Sequence, residues 1–147
     1  MGRARQIERT ISKGQLVPLM FSQDQVADAQ NAVAMNILET SATTSTLNVT
    51  EYVMPFDFEI VAITIVANTG RTAGTLTVDA TIDGTVTGHQ AALNATDTIR
   101  KHNTQARDSD AGVAGQRVGV KLTTASWTPV AANVMVQVWV LLHLEGI

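Results

Sequence analysis

The chain contains no cysteine. That excludes disulfides, thiol nucleophiles and any zinc site built on Cys. Small secreted domains more often carry disulfides, so the absence leans towards an intracellular origin. No apolar run approaches the length of a membrane span; residues 16–21 are apolar but far too short. Arg3, Arg5 and Glu8 are not followed by an unbroken apolar stretch, so no signal peptide is expected. Met1-Gly2 lacks the Ser or Thr that myristoylation wants, because Gln6 stands there. Aromatic residues make up only 4% of the chain, which leaves Trp127, Trp139 and Tyr52 as candidate platforms for stacking on a sugar. Charged residues are 16% and the formal charge is −3, an argument against nucleic acid as the main partner.

What is present is a β pattern. Hydrophobic residues make up 45% of the 147, enough for one domain with a real core. The character of the chain changes near residue 47. Beyond it, strands are expected over 58–67, 76–82, 118–122 and 133–144. The cleanest alternation puts Leu76, Val78, Ala80 and Ile82 inward and Thr75, Thr77, Asp79 and Thr81 outward. Asp83-Gly84 fits a two-residue hairpin turn, with a return strand starting over 85–87. Val118, Val120 and Leu122 point one way. Over 133–144 the even positions from Val134 to Leu144 share one face, and Met135, Gln137, Trp139, Leu141 and His143 share the other. Over 58–67 the pattern groups Ile60, Ala62, Thr64 and Val66 against Val61, Ile63, Ile65 and Ala67. Both of these strands are apolar on two faces and need a cover, from the second sheet, from the N-terminal segment or from another subunit. Residues 94–116 read as a long polar loop with an edge strand around 98–104.

Residues 1–20 read as an arm, broken by Gly14 and Pro18. In its tip Arg3, Arg5, Arg9 and Lys13 face only Glu8. Over 22–38, Val26, Ala29, Val33 and Ile37 recur at helical spacing, yet Asn and Asp interrupt the stripe. A short helix and an extended segment both stay open there. Residues 39–46 form a polar linker. The expected division is therefore an arm and linker over 1–46 and a head over 47–147. With no βαβ rhythm, the fold class is all-β: a jelly-roll-like antiparallel β-sandwich carrying an extended N-terminal arm.

No catalytic constellation emerges, and the protein is not expected to be an enzyme. His89, His102 and His143 lie in separate segments without a supporting motif, and there is no Gly-x-Ser-x-Gly elbow. Asp108-Ser-Asp110-Ala-Gly112 lacks the distal Glu of a calcium loop, so no metal or cofactor is expected. Asp79 and Asp83, four positions apart on one strand, would lie roughly 13 Å from each other. Paired glycosidase carboxylates need about 5–9.5 Å.

At Tyr52-Val-Met-Pro-Phe-Asp, Val61-Ala-Ile-Thr-Ile, Thr72-Ala-Gly-Thr-Leu-Thr-Val, Ile82-Asp-Gly-Thr and Val118-Gly-Val-Lys-Leu-Thr-Thr, the chain resembles small virion proteins of tailed bacteriophages. Among these it is most similar to capsid decoration (cement or auxiliary) proteins with β-sandwich heads, over roughly residues 47–144. The resemblance implies a structural protein, made in the host cytoplasm and seated on the outer capsid surface. It implies a homotrimer, with the major capsid protein as partner and neither nucleic acid nor membrane. On this reading the capsid contact falls to Arg3, Arg5, Arg9, Lys13, Leu16, Val17, Leu19, Met20 and Phe21 of the arm. The subunit interface falls to Met135, Gln137, Trp139 and Leu141. A head without residues 1–20 should then fold but no longer stabilise capsids. The alternative is a head-fibre or carbohydrate-binding module that uses an exposed Trp127 or the 94–112 loop.

Overall fold

Ten strands build the described residues, 14–37 and 49–144, of the computed structural model. They form an all-β sandwich of two antiparallel sheets. The first sheet runs in the order β1 (Gln15–Gln23), β10 (Val134–Leu142), β4 (Phe58–Ala67) and β7 (Arg100–Thr104), with β8 (Asp110–Gly112) also pairing β4. The second runs β2 (Val33–Ala34), β9 (Arg117–Thr128), β5 (Ala73–Ile82) and β6 (Thr85–Leu93), with β3 (Glu51–Val53) also pairing β9. The first strand thus pairs with the last, and the next strands with the next to last. This is the order of a long hairpin rolled into a jelly roll.

The sequence alternation sets which side chains meet between the sheets. Leu76, Val78 and Ala80 of β5, Val118, Val120 and Leu122 of β9, and Val134, Val136, Val138 and Val140 of β10 are all buried in one core. Each large apolar side chain removed from water there contributes about 1.5–3 kcal/mol. Asp83 and Gly84 both take positive φ (50° and 77°), as a type I′ turn requires. The Arg117 N–H donates to Asp83 Oδ1 at 3.0 Å. That bond, more than the Gln116 side chain or the Arg117 charge, holds the Asp83 carboxyl below its usual range.

Three expectations are corrected, and the choice left open over residues 22–38 is answered for the described residues. The described part of the arm is not free: residues 15–23 are β1, paired with β10 along its whole length. No boundary near residue 46 separates arm from head, because β1 joins one sheet and β2 the other, and Leu19, Phe21, Val26 and Met35 lie in the common core. Residues 22–37 form no helix. Ser22 bridges Asn36, Val26 N–H donates to the Ala132 carbonyl, and positive φ at Gln25, Ala29 and Ala32 bends the chain between the sheets. Finally, Ile60 shares the inward face with Ile63 and Ile65. A register shift at Trp139/Val140, which pair with Ala62 and Ile60, leaves Val61 as an extra residue. One extra residue reverses the parity of a strand. The linker 39–46 lies outside the described residues.

His89 of β6 is 6% exposed and its Nε2 has no partner. Burial pushes its pKa below the ordinary value of 6.5, against the opposing pull of Asp110, the Asn103 backbone and Asp79. The unfolded chain therefore takes up a proton below about pH 6.5 that the folded chain resists. Stability is retained above that pH and lost as pH falls through it. Thermal midpoints between pH 7.5 and 5 should fall more for the wild type than for His89→Gln. Parallel curves would exclude His89 as the cause.

Candidate functional site: the outer face of the first sheet

Directly opposed residues of an antiparallel pair project to the same side. The register therefore defines rows across the face of the first sheet that points away from the core. One row is Ser22, Met135, Val66 and Arg100. The next is Met20, Gln137, Thr64 and His102. The third is Pro18, Trp139, Ala62 and Thr104. Beyond the register shift, Leu16, Leu141 and Glu59 make a fourth. Leu16 is 55% exposed, Met135 42% and Val66 41%. Three adjacent strands thus present exposed apolar surface at Leu16, Val66 and Met135, with Met20 and Trp139 half-buried beside them, while Leu141 and Glu59 at the far end are covered. The Thr64 hydroxyl donates to Gln137 Oε1 at 3.4 Å in its centre.

Two shallow concavities flank Met135 and Val66. One, of about 510 Å³, is lined in part by Thr64, Gln137, Arg100 and His102. The other, of about 580 Å³, reaches Ser22, Asp24, Asn68 and Asn133. The face is therefore bordered by a cation on the β7 side and by a carboxylate past the end of β1. At its far end the buried Glu59 carboxylate lies against the Arg107 guanidinium, while Oε2 accepts the Asp108 N–H at 3.0 Å. His143 Nε2 is 3.8 Å from the same oxygen.

The residues expected to form the site divide by strand parity. Met135, Gln137, Trp139 and Leu141 stand together on this face, Leu141 largely covered at 7% exposure. Leu16 and Met20, expected in the arm, join them. Val17, Leu19 and Phe21 turn inward; Leu19 and Phe21 are core residues, and Phe21 packs edge-on against Tyr52 at 5.5 Å. Neither Leu19 nor Phe21 is therefore available to a capsid. Arg3, Arg5, Arg9 and Lys13 lie outside the described residues. Sequence reasoning named the 58–67 strand, which supplies Val66, but missed Pro18, Arg100 and His102. Arg100 and His102 lie in the edge strand expected around 98–104, but no sequence signal shows which strand they adjoin.

Trp127, one of the candidate platforms for a sugar, is completely buried. Its N–H donates to Asp28 Oδ1 at 2.8 Å through the backbone, which fixes the strand end over the core.

No family model matches the chain, and no curated protein matches it. Among solved structures it is similar to a chain in the acidic stable capsid structure of Helicobacter pylori bacteriophage KHP30. The identity is 12% and the TM-score 0.48, covering 88% of this chain and 93% of that one. It is also similar to a chain in the capsid asymmetric unit of cyanophage Pam1. There the identity is 14% and the TM-score 0.47, covering 88% of this chain and 86% of that one.

Proposed function

We propose that this protein is a non-enzymatic structural component of a tailed-phage virion, standing on the outside of the capsid as a homotrimer and stabilising it. The observation that carries the reading is the apolar face of exposed Leu16, Val66 and Met135 with half-buried Met20 and Trp139. Exposed apolar side chains gathered on one sheet face of a small domain are costly in water and are characteristic of an interface. Contact between copies would cover it, which assigns Met135, Gln137, Trp139 and Leu141 to the subunit interface. The capsid contact then falls to the basic tip, Arg3, Arg5, Arg9 and Lys13, whose charge suits an acidic patch of the major capsid protein. Three tips on one trimer add avidity to individually weak contacts.

Two measurements test this. Light scattering after size exclusion should give about three times the 15.7 kDa of one chain. Co-sedimentation with capsids that lack the protein should be saturable for the full chain and lost, or weakened by at least about tenfold, when residues 1–13 are removed. Equal binding by the shortened chain would sink the assignment of the tip. Failure of the full chain to bind capsids at all would sink the virion role.

A further inference from the structure

The basic tip joins the fold at one end of the sandwich. Gly14 takes a positive φ of 83° against the Leu142 carbonyl, and a Cβ there would lie 3.6 Å from the Cα of His143. His143 donates its backbone N–H to the Asp57 carbonyl at 2.8 Å. Both residues line a concavity of about 550 Å³, together with Pro55, Phe56, Phe58 and Asp108. Lys13 is therefore attached to the fold beside this concavity.

The lining is apolar and acidic at once. Phe56 is half-buried and Pro55 exposed, while Asp57 and Asp108 are both exposed carboxylates. Asp57 Oδ1 accepts the Ala114 N–H at 2.9 Å. Among the described residues neither Asp57 nor Asp108 is paired with a lysine or arginine. Arg107, next to Asp108 in the chain, lies against Glu59, and His143 Nε2 faces the same Glu59 at 3.8 Å.

Residues 1–13 match this lining on both counts. They carry Arg3, Arg5, Arg9 and Lys13 against Glu8, and also Ile7 and Ile11. The described residues have the opposite balance, with ten Asp or Glu to six Lys or Arg. A segment of this length spans roughly 40 Å when extended, enough to lie across the concavity. Being tethered, it meets the concavity at an effective concentration of about 1 mM, so even a weak contact is populated.

We propose that, away from a capsid, the basic tip of each chain lies in this concavity on its own head. Its cations sit on Asp57 and Asp108, and its isoleucines turn towards Pro55 and Phe56. The tip is thereby held back until a stronger acidic patch displaces it. The inference rests on the capsid role proposed for the tip, and it adds what the tip touches before it binds.

Paramagnetic broadening of amide signals in the full chain tests it. A nitroxide on Ala4→Cys is confined to that position, because the chain has no native cysteine. The tether alone brings a label towards Gly14, so the comparison is with a chain that also carries Asp57→Asn and Asp108→Asn. Asn keeps an acceptor for Ala114 and tolerates the positive φ (62°) of residue 108, so both changes spare the fold. The amides of Phe56, Asp57, Asp108 and His143 should lose about half or more of their intensity in the first chain and recover in the second. Equal broadening in the two chains would overturn the inference. Nitroxide copies mixed with isotope-labelled copies that lack the nitroxide should show no such loss. Broadening there would hand the concavity to a neighbour's tip and overturn docking on the same head.

Co-sedimentation separates this from the capsid role. The doubly substituted chain should bind capsids about twofold or more tightly than the wild type, since only the undocked tip is competent. Unchanged capsid affinity would overturn the restraint. Recovery of the amides with no capsid binding by either chain would support the docked tip and remove the virion role.

Discussion

A chain that begins at residue 24 will not fold, whereas one that begins at Gly14 will. The paired structure starts at Gln15, and β1 covers one entire edge of β10. Removing it takes Leu19 and Phe21 out of the core and strips the partner from the strand that carries Val134 to Val140. The two side chains together represent about 3–6 kcal/mol of burial. A domain of this size typically has only about 5–15 kcal/mol of net stability. Lost pairing and a newly bare edge add to the deficit. Phe21→Ala alone should cost about 3–5 kcal/mol, because the cavity would lie against Tyr52 and the β10 valines. Circular dichroism melts of both truncations and the point variant check this. A cooperative melt near the wild-type midpoint for the chain beginning at residue 24 would refute it. The expectation that residues 1–20 can be removed without harm to the head is withdrawn for the same reason. Capsid-binding experiments need the break placed before Gly14.

Arg107→Ala will destabilise the protein more than Glu59→Gln, although Arg107 is the more exposed partner. Arg107 is half in solvent and its charge can be hydrated when the pair is lost. Glu59 is fully buried and cannot be. Its Oε1 is paired with the Arg107 guanidinium. Removing the arginine strands a carboxylate beneath the 105–110 segment, with only the Asp108 N–H and a distant His143 to hold it. Breaking a buried pair in this direction costs about 3–5 kcal/mol. Glu59→Gln removes the charge itself and leaves an acceptor for Asp108, so its cost should be smaller. The Arg107→Ala deficit should shrink as pH falls, since a stranded carboxylate takes up a proton more readily than one in the unfolded chain. Urea titrations at pH 7.5 and 5 measure both effects. Equal costs at both pH values would show that the carboxylate is hydrated after all.

Much of the fold was legible because strand geometry has a period of two and burial follows it. The valines of β10, the Leu76–Val78–Ala80 series and Val118–Val120–Leu122 all occupy the core that their alternation predicts. The Asp83-Gly84 turn was legible because few residues tolerate positive φ at both positions. β1 was misread because both of its faces carry apolar residues and Pro18 sits in the middle. Proline is compatible with an edge strand, which is where the structure places it. The helical spacing of Val26, Ala29, Val33 and Ile37 did not produce a helix. Backbone hydrogen bonds with Ala132, Val120 and Thr124, far along the chain, hold the segment in a bent, non-helical course between the sheets. Asp79, expected to face solvent, is buried because Gly88 N–H and the Gln90 side chain both donate to it.

By itself, the sequence determined the all-β class, the core faces of the long strands and the tight hairpin turn. It also concentrated positive charge at the N-terminal tip. Each follows from local geometry: side-chain alternation, allowed φ or the order of residues. Only the tertiary structure decided that β1 belongs to the sandwich, that β4 changes parity at Val61, and that Trp127 is core and not platform. It also set Leu16, Met20, Val66, Met135 and Trp139 on one face of the first sheet. Those outcomes depend on which distant strand pairs with which and in what register. Period-two alternation tells a strand which of its sides is apolar, but does not name the strand beside it.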